Sequence, residues 1–242
     1  MKKFFNAVLS IVLFSSISAT TFAAETGSIN EVKILKAEAS STTVFDKVEA
    51  KKGENGFHIR VRGTGTADGV YRSYVVTADL EKGTYKAVKE NPMFQTSPIV
   101  TKEKPVGNSK ALVSYNSANV RAHTYDPVNI DCNWTDLGYS WKDDNGKFSY
   151  YSRSLNTWDA SPTSLGTYWK LVWKKYNNDP NSFQSASAKH VNTNFLGGIT
   201  GTTYAEHYIS ITPKPNKKYH YFADLDTEGV AGHLLHLKIT TH

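Results

Sequence analysis

Trp141-Lys142-Asp143-Asp144-Asn145-Gly146-Lys147-Phe148 is the stretch on which the fold turns. Asn-Gly accepts the positive φ angles that a tight hairpin requires, so the strands expected at Leu137 to Trp141 and Phe148 to Leu155 fold back on each other here. Upstream, Phe57-His58-Ile59-Arg60-Val61-Arg62 alternates apolar and basic residues with period two, the mark of a strand with one face on a core. It is closed by Gly63-Thr64-Gly65-Thr66-Ala67-Asp68-Gly69, read as a turn-rich loop. Tyr71 to Leu80 and Thr84 to Val88, joined at Glu81-Lys82-Gly83, read as a second hairpin.

Further strands are expected at Ala111 to Tyr115, Asn119 to Tyr125, Val128 to Trp134, Thr167 to Tyr176 and Ala186 to Thr193. Three more are expected at Thr202 to Thr212, Lys218 to Asp226 and Leu234 to Thr241. No long stripe of period 3.6 lies beyond the N-terminal leader. The expected class is therefore all-β, an antiparallel β-sandwich with a signal-peptide helix in front of it. Pro92, Pro98 and Pro105 punctuate a polar, weakly periodic stretch. This divides the chain into a β-rich N-terminal region at 24–97, a Pro-containing connection at 98–110 and a sandwich domain at 111–242. A single domain spanning both regions is the other arrangement.

The leader itself, residues 1–23, has the parts of a cleavable signal: Lys2 and Lys3, an apolar run around Ala7 to Phe14, and small residues ending in Thr21-Phe22-Ala23-Ala24. Asn6, Ser10, Ser15 and Ser16 break the run, which is too short for a bilayer span of about 20 apolar residues. Nothing later approaches that length, so no stable membrane anchor is expected. With Lys2 and Lys3 removed, the net charge falls from +6 to +4, mildly basic and without the signature of a nucleic-acid partner. Cys132, the one cysteine, has no partner for an internal disulfide and is expected to be buried as a small hydrophobe. Export, lysine content and near absence of cysteine together point to an extracellular protein of a Gram-positive bacterium.

All five tryptophans, Trp134, Trp141, Trp158, Trp169 and Trp173, fall in one block with Tyr139, Tyr150, Tyr151, Tyr168 and Tyr176. Such a block either fills a core or presents rings on which the apolar face of a sugar stacks. Alternation assigns Trp169, Leu171 and Trp173 to the core. Trp158, Tyr168 and Tyr176 remain as the stacking candidates.

Asp224-Leu225-Asp226-Thr227-Glu228-Gly229 matches the opening of a calcium loop, which makes Asp224, Asp226 and Glu228 the metal candidates. The twelfth position, however, is Leu235 where a bidentate Glu belongs, and the flanks read as strands. His233 and His236 share a face only on a helix, whereas a strand is expected there. His58, Arg60 and Arg62 project from one strand face and are candidates for polyanion contact, beside the simpler reading of a solvated face. No catalytic nucleophile motif, metalloprotease motif or phosphate loop is present, so the catalytic residues are unknown and no cofactor other than calcium is suggested.

These features favour a non-enzymatic binding or structural protein at the cell surface or in the extracellular matrix, with cell-wall polymer or polysaccharide as its partner. One alternative is a secreted carbohydrate-active hydrolase with two carboxylates in a cleft. Another is a β pore-forming toxin or bacteriocin-like effector, suggested by the Ser/Thr-rich segment from Ser182 to Thr212. Nothing in the sequence speaks to oligomeric state.

Overall fold

The computed structural model describes residues 31–90, 113–161, 168–193 and 201–242. The leader at 1–23 and the connection at 98–110 lie outside the described residues. What is described is nearly all strand. In chain order these are β1 (Lys33–Ile34), β2 (Lys36–Ala37), β3 (Lys47–Lys52), β4 (Phe57–Thr66), β5 (Arg72–Asp79), β6 (Thr84–Glu90) and β7 (Val113–Tyr125). There follow β8 (Asp131–Asp144), β9 (Lys147–Asp159), β10 (Trp169–Tyr176), β11 (Gln184–Asn192), β12 (Thr203–Lys214), β13 (Lys218–Gly229) and β14 (His236–Thr241).

Two seven-stranded sheets result: sheet A in the order β1-β3-β4-β13-β12-β11-β10, and sheet B in the order β2-β6-β5-β14-β7-β8-β9. Pairing is antiparallel throughout except between β2 and β6. Both sheets draw strands from both halves of the chain, through the β4–β13 and β5–β14 pairings.

The inner faces meet in one hydrophobic cluster. Sheet A contributes Ile59, Val61, Ile209, Ile211, Tyr219, Tyr221 and Leu225, and sheet B contributes Val120, Leu137, Tyr139, Trp141, Leu237 and Ile239. Each set is one parity of its strands, because successive side chains leave opposite faces. At about 25 cal/mol per Å² of apolar area removed from water, this cluster is the main stabilising contribution, with no disulfide to assist it. Cys132 is buried as expected, and burial pushes its thiol up out of the reactive range.

Several boundaries differ from the sequence reading for identifiable reasons. Gly63 and Gly65 belong to β4 and not to a loop, because the rings of Tyr221 and Tyr219 lie over them; a methyl group would sit 2.5 Å and 2.2 Å from those rings. Two pairs of short strands merge into the continuous β7 and β8. β13 runs on past Asp226 to Gly229, and His233 lies in a single 3-10 turn at Gly232–Leu234 where a strand was expected. The Asn145-Gly146 hairpin forms as read, with φ of 53° and 85°, the two positive angles of a type I′ turn.

Candidate functional site

The outer face of sheet A carries the sequence-derived metal and polyanion candidates side by side. His58, Arg60 and Arg62 do share this face, but Asp224 lies directly across from Arg60 in the β4–β13 register. The Arg60 guanidinium donates to it through Nε, at 3.1 and 2.9 Å, and through Nη2, at 2.6 Å. His58 Nε2 lies 3.4 Å from the same carboxylate. Asp224 is only 3% exposed, so this metal candidate is instead a buried counter-ion. The reason is its central strand, where Arg60 and the rings of Tyr208 and Phe222, 5.9 and 5.8 Å from that guanidinium, cover it.

Asp226 and Glu228 follow at two-residue steps along β13. Extended backbone places Asp224 and Glu228 about 13 Å apart, so the three carboxylates cannot converge on one ion. No metal-binding cluster is found among the described residues. Asp226 and Glu228 instead line a cleft of about 420 Å³ with Lys51, Lys52, His58 and Tyr204. Partial desolvation raises Asp226 and its cross-strand neighbour Glu206 above the usual carboxylate range. Lys189 bridges this group, 4.0 Å from Glu206, 3.9 Å from Glu228 and 4.7 Å from the Tyr204 ring centre.

The outer face of sheet B is built differently. The register of β7, β8 and β9 sets side chains in rows: His123-Trp134-Trp158, then Arg121-Asp136-Asn156, Asn119-Gly138-Ser154 and Ser117-Ser140-Ser152. A further row begins at Tyr115. There a bulge beyond Ser140 displaces Tyr151 onto the same face, where it meets Tyr115 edge to face at 5.0 Å. Trp134 and Trp158 lie nearly parallel, 18° apart at 6.4 Å. The Arg121 guanidinium covers one side of Trp134 at 4.1 Å.

Eight residues separate the tryptophan row from the tyrosine pair, or about 27 Å of strand. Between these ends the strip is floored by Gly138, over which Ser154 and Asn119 close. Asp136 sits buried at its centre, accepting from Asn119 Nδ2 at 3.1 Å and 3.5 Å from Arg121 Nε. The hydroxyls of Ser117, Ser140, Ser152 and Ser154 make no side-chain hydrogen bond to another described residue. Trp158 is 43% exposed and Tyr151 62%.

Of the three stacking candidates, the structure places only Trp158 on this strip. Tyr168 is 55% exposed but stands just ahead of β10, in the other sheet. Tyr176 packs against the core beneath Arg153, 3.8 Å from its ring centre, a correction to the exposure expected of it. A bulge between Leu171 and Trp173 reverses the alternation along β10 and carries Tyr176 inward. Sequence reasoning missed Tyr115, Tyr151, Arg121 and Trp134 as strip residues. The available signal was the run Ser152, Ser154, Asn156, Trp158, which alternates with Arg153, Leu155 and Thr157. Comparison with known protein families, characterised proteins and solved structures finds no match to this chain.

Proposed function

We propose that this is an extracellular, non-enzymatic binding protein, an antiparallel β-sandwich that holds a polysaccharide or cell-wall polymer along the β7–β8–β9 strip. The observation that carries the reading is the pairing of exposed rings at both ends of a row of serine hydroxyls that make no side-chain hydrogen bond to another described residue. Rings take the apolar face of a sugar, and short polar side chains bond its hydroxyls. The extracellular setting rests on the leader at 1–23 and the single cysteine. Retention on insoluble polysaccharides and cell wall, followed by salt elution, tests it. The chain is expected to be held and to resist salt, and Trp158→Ala is expected to lower affinity about tenfold, or 1.4 kcal/mol. Absence of retention on every matrix at low salt refutes the reading.

A secreted carbohydrate-active hydrolase is the second reading, favoured by the cleft of sheet A. Asp226 and Glu228 stand about 6.7 Å apart along their strand, beside Tyr204. Asp226, raised by desolvation, has the character of a general acid. Release of reducing sugar during the same incubations would favour this reading over the first.

A further inference from the structure

Beneath the tryptophan row, a chain of hydrogen bonds passes back and forth between the sheets. Asp159 Oδ1 on β9 lies 2.6 Å from His190 Nδ1 on β11, and His190 Nε2 lies 3.2 Å from Thr135 Oγ1 on β8. Thr135 Oγ1 lies 2.9 Å from His207 Nδ1 on β12, and His207 Nε2 lies 2.9 Å from Thr124 Oγ1 on β7. Every link crosses the core. Thr124, Thr135, His190 and His207 are buried, and the two imidazole centres are 5.3 Å apart.

With Asp159 ionised, one polarity satisfies the chain from end to end. The Thr124 hydroxyl donates to His207 Nε2, His207 Nδ1–H donates to Thr135, the Thr135 hydroxyl donates to His190 Nε2, and His190 Nδ1–H donates to Asp159. Both imidazoles are then neutral. A second proton on His207 falls on Nε2 and turns the Thr124 hydroxyl away. A second proton on His190 sets two N–H donors against Thr135 and strands its hydroxyl proton. A second proton on either imidazole therefore reverses the neighbouring link and leaves a threonine hydroxyl proton without its acceptor in the chain.

The titratable groups around His207 are His190 on β11, His123 on the far face of β7, and Asp159 on β9, reached through His190. Thr135 on β8 and Leu225, its register partner on β13, carry no charge. The chain's sheet B members are sequence neighbours of the strip's tryptophan row: Thr124 follows His123, Thr135 follows Trp134, and Asp159 follows Trp158. We propose that this inter-sheet chain is an acid-released clasp, which holds the tryptophan row in place at neutral pH and lets ligand go when the surroundings acidify. The clasp stands on its own geometry; ligand release rests on the strip reading above.

Burial, with His190 and His123 nearby, holds His207 well below the ordinary imidazole value, and burial likewise lowers His123. A depressed histidine contributes stability that is present above the unfolded value, about 6.5, and is lost as pH falls below it. One such proton changes the folding constant about tenfold per pH unit in that window.

The test compares the full chain with His207→Gln and, as an exposed control, His233→Gln, at pH 7.5 and pH 5.0. Melting temperature, amide exchange of β9 against β4 and retention on an insoluble polysaccharide are read together. The wild type should melt earlier at pH 5.0, exchange at Asn156 to Asp159 about tenfold faster relative to β4 after correction for intrinsic rates, and leave the matrix. His207→Gln should melt lower at pH 7.5 but show a flatter dependence on pH, whereas His233→Gln should follow the wild type. Should His207→Gln fail to fold, imidazole nitrogen shifts of the wild type take its place, with His207 expected to stay neutral until β9 opens. A wild-type melt that ignores pH, a His207→Gln slope equal to the wild type, or a charged His207 beneath protected β9 amides overturns the clasp. Absence of retention already at pH 7.5 refutes the strip reading, and melting and exchange then decide the clasp alone.

Discussion

The outer faces of the two sheets are both polar, but their polar groups are committed to different degrees. On sheet A, cations stand opposite carboxylates: Arg60 on Asp224, Lys47 on Glu49, Lys189 between Glu206 and Glu228. On the β7–β8–β9 strip the middle is hydroxyl and amide around the single row of Arg121 and Asp136, and the ends are aromatic. The lesson is about what remains free after folding. A charged face whose partners are supplied by its own strands has little left to offer a polymer, however basic one of those strands looks alone. Uncharged hydroxyls beside exposed rings carry a small desolvation cost and open hydrogen-bonding capacity.

The contrast predicts different consequences for substitutions on the two faces. The largest is expected from Asp224→Asn, which leaves Arg60 without its counter-ion. Breaking a fully buried pair costs about 3–5 kcal/mol, and the 40% exposure of the Arg60 side chain reduces this to about 2 kcal/mol. Denaturant titration reads it, and binding at the strip should be unchanged. Equal loss of binding would mean that the faces are not separate.

Next comes the β8–β9 hairpin that sets the strip's register. Gly146 has φ of 85° and open space around it, so Gly146→Ala meets no clash, only the cost of a positive φ, about 1 kcal/mol. The same denaturant titration should show that loss. Its counterpart in sheet A, the β12–β13 turn, places Lys217 at φ of 57°. Lys217→Gly is expected to gain up to about 1 kcal/mol, the smallest and the only stabilising effect of the set. A loss at Lys217 would show that the side chain offsets its backbone strain.

Much of the strand grammar was legible because it is local. Asn145-Gly146 needs no tertiary partner to favour its turn, and the alternation in Phe57 to Arg62 names the buried face directly. The β4 extension was hidden because Gly63 and Gly65 read as loop residues until Tyr219 and Tyr221, more than 150 residues away, are laid over them. Tyr176 was misassigned because one bulge inverts a period-two reading for every residue after it. The pairing of Arg60 with Asp224, the strip's rows and the histidine chain are all cross-strand relations. Periodicity gives the face of a residue but not its neighbour, so those relations appear only with the register.

The most direct test of the strip is side-chain footprinting by hydroxyl radicals on the protein held by a retaining polysaccharide, compared with free protein at pH 7.5. The account predicts protection of Trp158, Tyr115 and Tyr151, with Tyr204, Tyr208 and Phe222 on sheet A reacting as in the free chain. Protection of the sheet A rings, with the strip unchanged, would contradict it.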